Sequence, residues 1–203
     1  MKIIVTPTTG LTHIDVAEAE KRDIRILFLS GDNKFLSDVR ATAEHTIALT
    51  LALLRHIPQS TSHVLSGNWD RDLFIGHEIY GKTVGIIGYG RLGRIVANYF
   101  GALGARVLAF DPRLPESEFE EAVVPVTMED LLHTAEIISL HANVTTNNVG
   151  LIDRHAFSAM KNGTYFINTS RGELVDHAAI LSALRSGKLG GAAVDVLLGE
   201  PNL

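Results

Sequence analysis

The sequence predicts an α/β fold: a doubly wound parallel sheet, preceded by a remnant of a second domain. Three observations predict it. From Gly81 onward, short apolar runs alternate with amphipathic ones, the pattern of a parallel sheet with helices on both faces. One of the junctions is the glycine-rich turn Gly88-Tyr89-Gly90-Arg91-Leu92-Gly93. Residues 1–39 hold only two strand-like runs and one helix-like run, too little to bury both faces of a sheet.

In chain order, Lys2–Val5 reads as a strand, Ile14–Lys21 as a helix and Arg25–Leu29 as a second strand. The segment Ser30–Val39, with Gly31, Asp32 and Asn33, reads as a loop. A helix is expected over 41–55, with Pro58 behind it as a stop signal. Its apolar residues lie all round, so a second domain or a second subunit should cover it. Strands are then expected at Val84–Ile87, Arg106–Phe110, Ala122–Val124, Ile137–Leu140, Thr164–Ile167 and Ala192–Val196. Helices are expected at Arg91–Leu103, Met128–Thr134 and His177–Ser186. Residues 40–203 form the main domain on this reading, and no internal repeat interrupts them.

Composition narrows the class. At 203 residues and 46% hydrophobic, the chain can build a sizeable core. A net charge of −5 without a basic block gives no support for nucleic-acid binding. Cysteine is absent, which excludes disulfides and thiolate chemistry and suits the cytoplasm. The apolar stretch Ile47–Leu54 is far short of the roughly 20 residues a membrane span needs. The start, Met1 to Pro7, is broken by proline too early for a signal peptide. The nine histidines show no metal-ligand spacing, so no metal site is expected. Trp69 reads as a packing anchor.

A lone GxGxxG is weak evidence, but its context strengthens it. The motif joins the apolar run Thr83–Ile87 to the amphipathic run after Gly93. Gly88 would make the sharp turn, Gly90 would let backbone approach a pyrophosphate, and Gly93 would let helix pack close to strand. The phosphates would rest on the N-terminal amides and positive dipole end of the helix. Asp111 ends the next strand about twenty residues on, where an acid accepts hydrogen bonds from an adenosine ribose and repels a 2′-phosphate. A Rossmann-type domain binding NAD rather than NADP follows. Arg113 argues the other way, because a nearby arginine can receive a 2′-phosphate. The plainer reading of Asp111 is a turn former before Pro112.

Two further loops attract attention. Asn168-Thr169-Ser170-Arg171-Gly172-Glu173 follows the strand Thr164–Ile167, at the strand edge where open α/β sheets bind ligands. The planar fork of Arg171 suits a carboxylate, though a locally paired surface arginine is the alternative. Asp195 and Glu200, in Val194 to Pro201, are by themselves more often loop acids. His141 ends the strand at Ile137–Leu140; it reads as a general base or, more simply, as a residue shaping the pocket.

Together these segments resemble the D-isomer-specific 2-hydroxyacid dehydrogenase family over nearly the whole chain. Thr9 to Asp15 looks like its substrate-domain signature, and Ala43-Glu44-His45 opens a helix like its dimerisation helix. Gly81 to Gly88 leads into the fingerprint, while Asn168 to Asp176 and Asp195 to Pro201 resemble its two catalytic signatures. The resemblance implies a flavodoxin-like substrate domain, of which residues 1–39 would be the remnant, and a homodimer. It implies hydride transfer between NAD and a small D-2-hydroxy or 2-oxo acid, including a 3-phosphoglycerate-like one. Arg171 would bind the substrate carboxylate, Glu200 would pair with a catalytic histidine, and Asp195 would hold the nicotinamide carboxamide. Gly88, Gly90, Arg91, Leu92 and Gly93 would meet the pyrophosphate, and Ala142, Asn143, Asn148, Thr169 and Ser170 would line the cofactor. Asn143 stands where the family pattern has proline. The chain also stops short of the position of the family's catalytic histidine, so the expectation is NAD binding with little turnover by these residues alone. The alternative is a non-catalytic, dimeric NAD-binding module.

Overall fold

The computed structural model describes residues 2–11, 13–29, 35–36 and 38–200. Thr12, most of the loop expected over Ser30–Val39, and Pro201 lie outside the described residues. Two compact units divide the chain, residues 1–40 and 41–203.

In the first unit, β1 (Lys2–Val5) and β2 (Ile24–Leu27) pair in parallel, joined through α1 (Val16–Lys21). Asp15 caps α1 by accepting the Glu18 amide proton at 2.9 Å. The sheet is too small to hide its apolar side chains: Val5 is 72% exposed, and Ile3 and Leu27 are also exposed.

The second unit begins with α2 (Ala41–Leu54) and α3 (Ile57–Leu65). Then follow β3 (Thr83–Ile87), α4 (Arg91–Ala102), β4 (Arg106–Phe110), β5 (Val123–Pro125), α5 (Met128–Thr134) and β6 (Ile137–Leu140). The unit continues through α6 (Arg154–Ala159), β7 (Thr164–Asn168), α7 (His177–Arg185) and β8 (Leu189–Val194). The strands form one sheet in the order β5-β4-β3-β6-β7-β8, every neighbouring pair parallel. The order reverses between β3 and β6, which opens a crevice at their carboxyl ends.

Alternation along the strands divides the core. Val84, Ile86, Ile137 and Ile167 pack with Val96 and Phe100 of α4 and with Ala43 and Leu54 of α2. Ile87, Ile138, Leu140 and Phe166 pack on the other face with Leu131, Phe157 and Ile180 of α5, α6 and α7. Helix α2 buries one stripe, Ala43, Thr46, Thr50 and Leu54, while Leu51 on another side stays exposed.

Four local readings are corrected, the first being Trp69, which is 87% exposed and does not anchor packing within the chain. Pro58 does not only stop a helix; it sits in the first turn of α3, where its missing N–H costs nothing. His56, at φ +52°, makes the break between α2 and α3. Helix α6, capped by Asp153 on the Ala156 amide, is additional. Strand β8 starts at Leu189, not Ala192, and ends at Val194. Gly190 and Gly191 hid its start, because glycine is a poor strand former. They are nevertheless required there: a Cβ on Gly190 would lie 2.6 Å from the Gly163 carbonyl oxygen, and one on Gly191 2.9 Å from Leu53.

The glycine turn is built by contact. Gly88 has φ +92°, a region closed to most side chains. A Cβ on Gly93 would overlap the Gly88 carbonyl oxygen, so α4 approaches the end of β3 as closely as backbone allows. Gly101, on the same helix, faces open space. Gly93→Ala is expected to cost about 3 kcal/mol or more through overpacking against backbone. Gly101→Ala should add roughly 0.5–1 kcal/mol by helix propensity. Urea midpoints at unchanged m-value check both.

Candidate functional site

The parallel register ends five strands on one row. Phe110, Ile87, Leu140, Asn168 and Val194 are successive Cα partners across β4, β3, β6, β7 and β8. The residues that follow them are Asp111, Gly88, His141, Thr169 and Asp195. Backbone bonds carry the row past the strands: Gly88 N–H donates to the Phe110 carbonyl at 2.8 Å, His141 to Ile87 at 2.7 Å, and Asp195 to Asn168 at 2.9 Å. Every loop singled out from the sequence therefore leaves the sheet at the same edge.

At the centre, Gly90 is the N-cap of α4 and offers no side-chain cap, so the first-turn amides of Arg91, Leu92 and Gly93 are not satisfied by one. Apart from Gly90 and its immediate chain neighbours, nothing lies within 4 Å of where a Cβ on Gly90 would sit. This cradle is open on its outer side and closed beneath, where Gly88 abuts the His141–Ala142 peptide. That geometry fits a pyrophosphate.

Beside the cradle, the Asp111 side chain is 1% exposed and accepts four hydrogen bonds. The Tyr89 amide, at 3.1 Å, ties it to the glycine turn. Arg113 supplies its own amide at 3.1 Å and its Nε and Nη2 at 3.0 and 2.8 Å. The Arg113 guanidinium holds the Asp111 carboxyl below the usual carboxylate range, against the opposing effect of burial. Under the turn, the Tyr89 ring stacks on Phe119 at 4.8 Å and lies beneath the Arg94 guanidinium.

On the other side, the loop after β6 carries Ala142, Asn143 and Asn148. Asn148 braces it from both ends of one amide: Oδ1 accepts from Thr145 N–H at 2.7 Å, and Nδ2 donates to the Asn143 carbonyl at 2.7 Å. The next loop is tied inward. Ser170 Oγ donates to the Leu140 carbonyl, and its N–H donates to Asn168 Oδ1 at 2.9 Å. Thr169 and Thr46 of α2 share a buried hydroxyl bond of 2.9 Å. Arg171 is half-buried, with Nη1 donating to the Ser170 carbonyl at 2.7 Å.

Gly172 brings the two acidic and basic loops together. A Cβ there would collide with the Leu197–Leu198 peptide, so the Arg171 loop lies directly against the segment that leads to Glu200. Glu200 Oε2 accepts the Leu197 amide proton at 3.1 Å. Asp195 Oδ1 lies 3.2 Å from Nε2 of His45, in the first part of α2. The sequence showed no sign of this pair; its members are far apart in the chain and only the fold joins them. Of the described residues, no group of three His, Asp or Glu could hold a metal ion, and no helix is long and apolar enough to cross a membrane.

A cavity of about 390 Å³ lined by Lys82, Glu136, Lys161 and Tyr165 opens at the opposite edge, where strands begin. None of the loops above reaches it. The strand-end crevice has the glycine cradle and the convergent polar groups.

An all-parallel sheet reversing at β3 and β6, with a glycine cradle at the reversal, defines a dinucleotide-binding α/β domain. Comparison with known proteins gives the family. Residues 47–203 match the model of the D-isomer specific 2-hydroxyacid dehydrogenase, NAD binding domain. The chain is 38% identical over 202 residues to D-3-phosphoglycerate dehydrogenase of Bacillus subtilis and 40% identical to that of Archaeoglobus fulgidus. Each match covers 99% of this chain but only 38% and 37% of those proteins, so the chain spans little more than a third of their length. The structure superposes with a TM-score of 0.84 and 33% identity on D-lactate dehydrogenase from Aquifex aeolicus complexed with NAD and lactic acid, covering 98% of this chain and 59% of that one. The chain thus belongs to the D-isomer specific 2-hydroxyacid dehydrogenase family and contains its NAD-binding domain.

His141 gives the site a pH signature. Its Nε2 lies 2.8 Å from Ser139 Oγ, and burial lowers its pKa from 6.5 to about 4. The neutral ring is therefore favoured in the folded state. As pH falls from about 6.5 to about 4 the unfolded chain takes up a proton that the folded one refuses, so stability declines over that window. The full shift corresponds to about 3 kcal/mol, an upper bound because the residue as a whole is only partly buried. Asp111, with its depressed pKa, loses its contribution only at lower pH, below the ordinary carboxylate range. His141→Gln should flatten the decline between pH 6.5 and 4 in urea titrations and leave the more acidic limb in place.

Proposed function

We propose that the chain is the cofactor-binding portion of a cytoplasmic NAD-dependent oxidoreductase that acts on the CH–OH group of a D-2-hydroxy acid, with a 3-phosphoglycerate-like acid as the first candidate. The observation that carries this reading is the single row of strand ends, which brings the Arg171 loop and the glycine cradle to one edge. The names of the two curated relatives support the substrate.

Bound NAD would supply or accept a hydride. Around it, the amides from Gly88 to Gly93, with Arg91 and Leu92, hold the pyrophosphate, and Asp111 takes the adenosine ribose. Ala142, Asn143, Asn148, Thr169 and Ser170 line the nicotinamide half, and Asp195 orients its carboxamide. Arg171 receives the substrate carboxylate with its planar fork and draws charge toward the C2 oxygen. Glu200 pairs with a catalytic histidine and favours its imidazolium form. Residues 1–39 are part of the substrate domain in this reading.

Arg171→Ala, in catalytically active protein, should lower kcat/KM for a 2-oxo acid by about 100-fold or more while leaving the Kd for NADH within roughly twofold. Arg171→Lys should recover only part of the loss, because an ammonium lacks the fork. Retention of near-full kcat/KM in Arg171→Ala would remove Arg171 from the reaction.

The oligomer we propose is a homodimer. Beyond α2, large apolar side chains stand out from residues 64–80: Leu65, Trp69, Leu73, Ile75 and Tyr80 are each more than 60% exposed. A surface of that kind is best explained by a second copy covering it. Sedimentation should show a dimer that Leu65→Asp combined with Leu73→Asp converts to monomer.

A further inference from the structure

We propose that Arg113 sets the cofactor selectivity of this site, acting as a displaceable plug on Asp111 that hinders NAD and assists NADP. The inference rests on the NAD-binding reading and concerns only its adenosine end.

A carboxylate offers about four lone-pair positions, and on Asp111 all four are taken. Each oxygen carries one backbone donor, the Arg113 amide on Oδ1 and the Tyr89 amide on Oδ2. Each also carries one guanidinium donor, Nε on Oδ1 at 3.0 Å and Nη2 on Oδ2 at 2.8 Å. The backbone donors belong to the fold and cannot leave. The guanidinium can, because the Arg113 side chain is 65% exposed while the carboxylate it covers is 1% exposed.

The two hydroxyls of a ribose present the same kind of demand as the guanidinium fork, one donor for each carboxylate oxygen. A ribose diol therefore binds Asp111 only by displacing Arg113, and NAD affinity is reduced by that competition. A 2′-phosphate meets the opposite situation. An acid alone at this place repels it, but here a cation two residues away, exposed and able to turn, offsets that repulsion. When displaced, the guanidinium remains tethered beside the 2′ position, where its fork matches a phosphate. A guanidinium stays charged whether or not it is paired, so the cation is available once displaced.

The test is titration of NADH and NADPH by nicotinamide fluorescence in wild type, Arg113→Gln and Arg113→Lys, with ADP-ribose and 2′-AMP as competitors that isolate the adenosine end. Wild type should bind NADPH within about tenfold of NADH. Arg113→Gln should tighten NADH by a few-fold and weaken NADPH and 2′-AMP by about tenfold or more, a factor of ten being about 1.4 kcal/mol. Arg113→Lys should keep part of the NADPH binding, since it keeps charge without the fork. An NADH-to-NADPH ratio unchanged by Arg113→Gln overturns the proposal, as does weaker NADH binding in that variant. Wild type that binds neither NADH nor ADP-ribose overturns the NAD-binding reading itself, and this inference with it. Circular dichroism and urea midpoints of the variants separate a change of selectivity from a loss of fold.

Discussion

Hydrogen-bond register across β4, β3, β6, β7 and β8 is the constraint on which the site depends. Parallel strands align only if each begins and ends at a matched depth, and here Phe110, Ile87, Leu140, Asn168 and Val194 fall on one row. The register is protected by burial on both faces, since a slip by one residue would exchange the two apolar surfaces. Val84 and Ile86 serve one core and Ile87 the other. Chemistry-bearing loops thus inherit their positions from core packing. The Gly93–Gly88 contact then fixes how close the helix comes to that row, and so where the first-turn amides lie.

Polar groups along the row are arranged in two ways. Some are tied to the frame: Asp111 takes two main-chain amides in addition to its arginine, and Ser170 donates its hydroxyl to the Leu140 carbonyl and its N–H to the buried Asn168 side chain. Such bonds persist as long as the sheet does. Others are held by exposed side chains that can exchange partners, as Arg113 and the His45–Asp195 pair are. A binding edge needs both, a rigid frame that cannot relax into the ligand's place and partners that yield to it. His141 belongs to the frame, because burial keeps it neutral over the range where an exposed histidine would titrate.

Much of this arrangement was legible in the sequence because its signals are local. The turn at Gly88–Gly93, the acid at Asp111 and the strand runs at Arg106–Phe110 and Ile137–Leu140 each announce themselves within a few residues. What stayed hidden depends on residues distant in sequence. Nothing near His45 points to Asp195, and nothing near Thr46 points to Thr169, since these pairs form only when α2 lies across β7 and β8. The start of β8 was obscured for a different reason. Gly190 and Gly191 are there because backbone and Leu53 leave no room for a side chain, and that tertiary demand outweighs their poor strand propensity. Arg113 was visible as a cation near the ribose position, but its fork on both Asp111 oxygens was not.

The Asn148 brace has a consequence for motion. Proline would restrict the backbone in every state of the chain, folded or open. Asn148 restricts it only while its amide spans Thr145 and Asn143. Two exposed hydrogen bonds contribute roughly 1 kcal/mol each, so releasing them costs little beside opening the sheet. The strand edge below does not share this freedom, since its bonds are backbone bonds within a buried sheet. The edge of the candidate site is therefore a fixed rail with one sprung latch, the loop after β6, which a single side-chain rotation can release while the strand ends stay in place.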